Sequence, residues 1–186
     1  IAYSKVETTK TVSEIQHPAV RGALKRYCPD QSLEIHHDGD LPARSGVGSS
    51  SAFAVGLIHS LHLLQGKPVA PSVLANQAIN LEQYDLGENV GSQDQIACAL
   101  GGLNYIEFGG PQEWQVNGLN IREEYRQMIE GRMVLIYTGF HRSSSDVQAG
   151  LLSNLASKST FMHRTIELAR ECNQLLRSEG DLDAIG

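Results

Sequence analysis

The sequence predicts an α+β fold, rich in strands in its first part. Three observations carry that reading. Short runs alternate apolar and polar residues with the period of a strand, longer runs repeat apolar residues with the period of a helix, and glycine or proline stands at the joints between them.

In chain order, Ile1 to Thr8 alternates like a strand, and His17 to Tyr27 reads as a short helix with Pro18 in its first turn. Ser32 to His36 is a second strand candidate. The chain then runs through Asp38-Gly39-Asp40 into LPARSGVGSSS. From Ser50 to Leu64 apolar residues sit nearly all round a helix, which predicts a buried element that Gly66 stops. A further helix is predicted from Pro71-Ser72 to about Tyr84, with Val73, Leu74, Ala78 and Leu81 at helical spacing and Glu82 near its end. Another starts at Ser92, where Ser92 and Gln95 have the spacing of a capping box, and ends at Gly101-Gly102, so that Asp94 falls in its first turn. Strands follow at Leu103 to Phe108 and Met133 to Tyr137, and Ser144 to Arg177 reads as mainly helical. The polar stretch from Ile121 to Arg132 is the expected domain boundary.

Composition narrows the function. With 41% hydrophobic and 19% charged residues, the 186-residue chain has the make-up of a folded globular protein rather than of disorder. Its 15 basic and 21 acidic residues leave a net charge of -6 with no basic cluster, which argues against nucleic acid as a partner. The longest apolar stretch, Ala52 to Leu64, is interrupted by Gly56, His59, Ser60 and His62 and falls short of the ~20 residues a bilayer requires, so no membrane partner is expected. Cys28, Cys98 and Cys172 are odd in number and far apart, which suits a reducing cytoplasm better than a disulfide framework. The first residues lack an initiating Met and an apolar leader, so the chain is expected to begin within a longer product.

The chemistry centres on Pro42 to Ala52, PARSGVGSSSA, which leads directly into the predicted buried helix. Small residues let the backbone approach an anion closely, and the free N–H groups and dipole of a first helical turn favour negative charge. A triphosphate suits such a loop, with Pro42, Ser45, Gly46, Val47, Gly48, Ser49, Ser50 and Ser51 as its candidate contacts. One serine hydroxyl can also ligate Mg²⁺, which takes a few oxygen ligands and keeps water. A flexible Gly/Ser linker is the competing reading, and the apolar helix that follows at once counts against it. The third glycine of a dinucleotide fingerprint is absent, and Gly66-Lys67 is followed by Pro68 rather than by the Ser or Thr of a Walker loop. Glu82 and Asp94 add two carboxylates, the groups that phosphoryl transfer to a hydroxyl needs for a metal and for a proton. Taken alone they read as solvated surface acids or, for Asp94, a residue favoured by the helix dipole.

The segment PARSGVGSSSA resembles the second signature motif of the GHMP kinases, and YSKVET, HPAVRGAL, DLPARSGVGSSSAFAVGLIHSLHLLQGK, GSQDQIACALGGLNYIEF and LIYTGFHRSSSDV resemble segments of the D-glycero-D-manno-heptose 7-phosphate kinases among them. The resemblance covers most of the chain. It implies a ribosomal protein S5 domain 2-like N-terminal domain over residues 1–125 and the start of a GHMP-kinase C-terminal domain over 131–186. It further implies ATP and Mg²⁺ as cofactors, Ser50 and Glu82 as metal ligands, Asp94 as the base or orienting group for the acceptor hydroxyl, and phosphorylation of a heptose 7-phosphate at its anomeric hydroxyl. Homoserine kinases lack that aspartate, so Asp94 points to the sugar or mevalonate branches. The early glycine-rich segment that helps bind the sugar and the late one that closes the nucleotide site are not in this sequence, so the fragment alone is expected to be inactive. A fucokinase- or galactokinase-type enzyme and a non-catalytic sugar- and nucleotide-binding regulator are the alternatives.

Three further features carry less. His59 and His62 are three apart on a helix but lack a third ligand, so packing explains them better than a metal. Arg142, beside His141 and Ser143 to Ser145, offers a fork of donors to a sugar phosphate or simply starts a solvated helix. His36-His37 and Trp114 suggest no chemistry.

Overall fold

The computed structural model describes residues 1–39, 46–109, 113–136 and 159–185. Pro42, Ser45, Tyr137 and Arg142 lie outside the described residues, as do residues 144–158 of the predicted helical tail. The chain divides into two compact units, the described residues up to Leu100 forming the first and those from Gly101 onward the second.

The first unit is helical. Helix α1, Pro18–Tyr27, starts at His17, whose ring accepts a hydrogen bond from the Val20 amide, with Pro18 in its first turn. Helix α2 spans Ser49–Leu64 and helix α3 Pro71–Asn80. Gly66 ends α2 as expected: at φ 67° it lets its own N–H reach the Leu63 carbonyl and the Lys67 N–H reach that of His62. A wide π turn, Leu81–Asp85, continues α3, and helix α4, Gln93–Leu100, follows. Helix α2 packs on α1, α3 and α4 around Val20, Leu24, Val55, Ile58, Leu61, Leu74 and Leu81.

Helix α2 departs from the prediction in one respect. Ala54, Val55, Leu57, Ile58 and Leu61 are buried, whereas Ala52, Gly56, His59, Ser60, Leu63 and Leu64 are exposed, so an apolar composition all round the helix is matched by burial on one side only. The strands expected at Ile1–Thr8 and Ser32–His36 are reduced to isolated bridges of Ala2 with Val6 and with His36. The reason lies in the hydrogen bonds. The chain turns back at Tyr3–Lys5, where the Tyr3 amide bonds the Lys5 carbonyl at 2.9 Å and the Glu7 amide bonds the Ile1 carbonyl at 2.8 Å. The Ile1 and Lys5 carbonyls, which a strand would offer to a neighbour, are thereby taken up locally, while Ala2 still pairs with Ile35 and His37.

The second unit holds an antiparallel pair, β1 Asn104–Phe108 and β2 Trp114–Gly118, in a register that sets Ile106 opposite Val116. Helix α5, Glu123–Arg132, occupies the polar stretch, and helix α6, Ser159–Arg177, is the described part of the tail. Tyr125 is buried and donates its hydroxyl to the Gly180 carbonyl at 2.8 Å. Met133 to Ile136, expected in a strand, are irregular and largely exposed, since no strand pairs with them among the described residues. No helix among the described residues is long and apolar enough to cross a membrane.

Candidate functional site

The serine- and glycine-rich turn enters α2 through two left-handed residues, Gly46 at φ 80° and Gly48 at φ 70°. Only glycine adopts that conformation without steric cost, so the two glycines set the direction from which the chain enters the helix. Gly48 is the N-cap residue, and no side chain caps the first turn. The first N–H groups of a helix have no intrahelical acceptor, and here no side chain takes their place. The three serines that follow diverge in environment: Ser50 is exposed, Ser49 half-buried and Ser51 buried at 5% exposure.

Glu82 reaches this turn from the π turn after α3. The Leu86 amide bonds the Leu81 carbonyl at 2.9 Å, one residue further along than in an α-helix, a widening often found at functional positions. Leu81 is fully buried and packs against α1 where Gly22 has no side chain; a methyl there would lie 2.8 Å from Leu81 Cδ1. With Leu81 so anchored, the neighbouring Glu82 is 1% exposed and its carboxyl is held by three donors. Ser50 Oγ donates to Oε1 at 2.5 Å, while Ser51 Oγ and Gln95 Nε2 donate to Oε2 at 2.8 and 2.5 Å.

Asp94 arrives from the first turn of α4, as the sequence predicts, and its half-buried carboxyl lies against Gly48. The start of α4 is held by Gln83 of the π turn, whose Nε2 donates to the Val90 carbonyl at 2.9 Å and to Ser92 Oγ at 3.1 Å. The predicted capping box of Ser92 with Gln95 does not form, because the Gln95 side chain turns inward to Glu82. Loop, Glu82 and Asp94, distant in sequence, thus meet at one end of α2.

The local electrostatics bear the mark of these acids. Partial desolvation, followed by the fields of Asp94 and Glu82, raises the thiol of Cys98, an exposed residue, above its ordinary value, and burial with the field of Glu82 raises the Glu88 carboxyl. Beside the turn a cavity of about 820 Å³ is lined by Ile35, His37, Val47, Ser49, Phe53 and Leu57 among others, a size within the range of small-ligand pockets.

Gln95 is the member of this site that sequence reasoning assigned elsewhere. Its donor role has no linear signature, since it and Ser51 stand 13 and 31 residues from Glu82. His62, weighed as a metal ligand, bonds Gln77 Oε1 at 2.8 Å, and His59 is exposed. Among the described residues no group of three or more His, Cys, Asp or Glu side chains is placed to hold a metal.

Residues 13–102 match the family model described as GHMP kinases N terminal domain. Among curated proteins, the D-glycero-alpha-D-manno-heptose 7-phosphate kinase of Campylobacter jejuni subsp. jejuni serotype O:2 is 34% identical over 117 residues, covering 63% of this chain and 34% of that protein. The galactokinase of Glaesserella parasuis serovar 5 is 29% identical over 92 residues, 47% of this chain and 24% of the relative. That of Chloroflexus aurantiacus is 33% identical over 81 residues, 44% and 21% of the two. The chain therefore spans 34% of the length of the first relative and 24% or less of the other two.

Proposed function

We propose that this chain, which belongs to the GHMP kinases through the N-terminal domain in residues 13–102, is part of an ATP-dependent kinase that phosphorylates a heptose 7-phosphate at its anomeric hydroxyl. The observation that carries this reading is the meeting of two carboxyl groups from different helices at one glycine- and serine-rich turn, Glu82 bonded to Ser50 and Asp94 packed on Gly48. In this reading residues 1–125 supply the N-terminal domain and residues 131–186 the beginning of the C-terminal one.

The phosphates of ATP are assigned to the turn from Gly46 to Ser51, where backbone N–H groups and the dipole of α2 favour anions, Ser51 contributing its N–H because its hydroxyl is taken by Glu82. Pro42 and Ser45 extend that loop, and Arg142 is assigned to the sugar phosphate; these three rest on the sequence alone. The adjoining cavity suits the rest of the nucleotide. In the transfer, Asp94 accepts the proton of the sugar hydroxyl, the hydroxyl oxygen bonds to the γ-phosphorus, and the bond from that phosphorus to the departing ADP oxygen breaks.

The residues present suit Mg²⁺. Its preferred donors are oxygens from one or two carboxylates together with phosphates and water. Ser50 Oγ and Glu82 Oε1 are such donors, and the three hydrogen-bond partners of the Glu82 carboxyl are all uncharged. When bound there, the ion would neutralise phosphate charge and orient the triphosphate.

The heptose assignment is supported by the resemblance of segments along the chain and by the match to the Campylobacter jejuni enzyme. A galactokinase-type activity is the second reading, favoured by the matches to galactokinases. A coupled ADP-release assay on the full-length protein, with heptose 7-phosphate, unphosphorylated heptose, fucose and galactose, separates them. Heptose 7-phosphate is expected to raise ADP release most. A response to galactose or fucose alone replaces the substrate, and nucleotide binding with no response to any sugar replaces the kinase by a non-catalytic regulator.

A further inference from the structure

Gln95 is fully buried, yet its amide is only half satisfied. Nε2 donates to Glu82 Oε2 at 2.5 Å, while Oε1 has no hydrogen-bond partner among the described residues. Burying an amide with one end unpaired is unfavourable, and an apolar side chain of similar size would avoid the loss. The one bond that the amide does make, to the buried Glu82 carboxyl, is what explains a glutamine at this position. What Gln95 does provide is direction. Together with Ser51, itself buried, it places two donors on Oε2 of Glu82, so that the carboxyl cannot rotate without breaking two bonds. Among the described residues Oε1 is left to the exposed Ser50.

We propose that Gln95 and Ser51 form a clamp on Glu82 that fixes Oε1 and Ser50 Oγ as a preset pair of oxygen donors for a divalent cation, and that Gln95 is a positioning residue in the metal site. The proposal rests on the kinase reading for the identity of the cation, but the clamp itself is a matter of geometry. It also gives the buried Ser51 a part different from that of Ser50. Because Gln95 follows Asp94 directly on α4, the same helix turn carries the proton acceptor and the residue that orients the metal carboxylate. Outer partners of this kind typically alter metal affinity by roughly 10- to 100-fold.

The test uses the full-length protein and Mn²⁺ as an EPR-visible probe, titrated with a non-hydrolysable ATP analogue present. Gln95→Met keeps length and volume and removes the donor; Ser51→Ala removes the other. Both are expected to weaken Mn²⁺ binding by about 10-fold or more, while the affinity for metal-free nucleotide stays at the wild-type value. Raising Mg²⁺ is expected to restore the turnover of Gln95→Met, a response that a packing defect would not give. Should Gln95→Met fail to fold, as judged by circular dichroism, Ser51→Ala decides the matter. Wild-type Mn²⁺ affinity in the folded variants overturns the clamp and leaves the kinase reading standing. A wild-type protein that binds neither Mn²⁺ nor nucleotide overturns both.

Discussion

The carboxyl of Asp94 rests against Gly48, so closely that a methyl group built on the glycine would lie 3.0 Å from Asp94 Oδ2 and 3.1 Å from its Cγ. Gly48 also holds a φ of 70°, which disfavours any side chain. Gly48→Ala is therefore expected to lose about 1–2 kcal/mol of stability from backbone strain and to displace the Asp94 carboxyl as well. Urea unfolding measures the first effect. Turnover of the full-length protein, compared under conditions where the variant is fully folded, measures the second, and it should fall well beyond what the stability loss explains.

Asp94→Asn keeps the size of the side chain and its contact with Gly48 while removing the proposed proton acceptor. Turnover is expected to fall by roughly 10²- to 10⁴-fold, with nucleotide affinity unchanged. Nucleotide titration and initial rates on the same preparation check both parts, and near-normal turnover would remove Asp94 from that role.

Glu82 is bonded by two buried groups, Ser51 and Gln95, and by the exposed Ser50. Glu82→Ala strands the two buried donors and is expected to destabilise the protein by about 1–3 kcal/mol for each. Glu82→Gln can keep its amide oxygen toward Gln95 and its amide nitrogen toward Ser50, whose hydroxyl can accept. It should unfold at nearly the wild-type urea concentration yet bind Mn²⁺ poorly, because the anionic ligand is gone.

His17 links acid sensitivity to the start of α1. Burial lowers its pKa, as does the neighbouring His37, against an opposing effect of Glu7. Its neutral ring accepts a bond from the Val20 amide at 3.4 Å and stacks edge-on with Tyr3. With the folded value below the unfolded one of about 6.5, the unfolded chain binds more protons in the window just beneath that value. The contribution of His17 is accordingly complete above pH ~6.5 and declines as the pH falls toward the lowered folded value. Thermal melts across this range should show that decline, and His17→Asn, which keeps a capping side chain without the titration, should flatten it.

Cys98 offers a spectator's view of the same acids. Its thiol is raised by partial desolvation and by Asp94 and Glu82. Alkylation by iodoacetamide at pH 8, followed by peptide mapping to separate it from Cys28 and Cys172, should be slower than for an unperturbed thiol and faster in Asp94→Asn.

Much of the helical frame could be read along the chain because its signals are local. Pro18 and Pro71 mark first turns, and Gly66 and Gly101 mark ends, at the places the structure confirms. The strand signals near the N-terminus are equally local, but a strand depends on a partner, and the Ile1 and Lys5 carbonyls are bonded within a turn by the Glu7 and Tyr3 amides instead. Gln95 has the spacing of a cap for the same reason: spacing reveals which groups are near in sequence, while the donor it supplies goes to a carboxyl beyond its own helix.

Sequence alone determined where α1 to α4 begin, where α2 and α4 end, which residues form the glycine- and serine-rich turn, and that two acids follow it at Glu82 and Asp94. Only the tertiary structure decided that Ser50 and Ser51 grip opposite oxygens of Glu82, that Gln95 joins them, and that Asp94 lies on Gly48. Turn propensities, caps and periodicities act over a few residues, whereas the meeting of those side chains depends on how α2, α3 and α4 pack together, and long-range packing leaves no period in the chain.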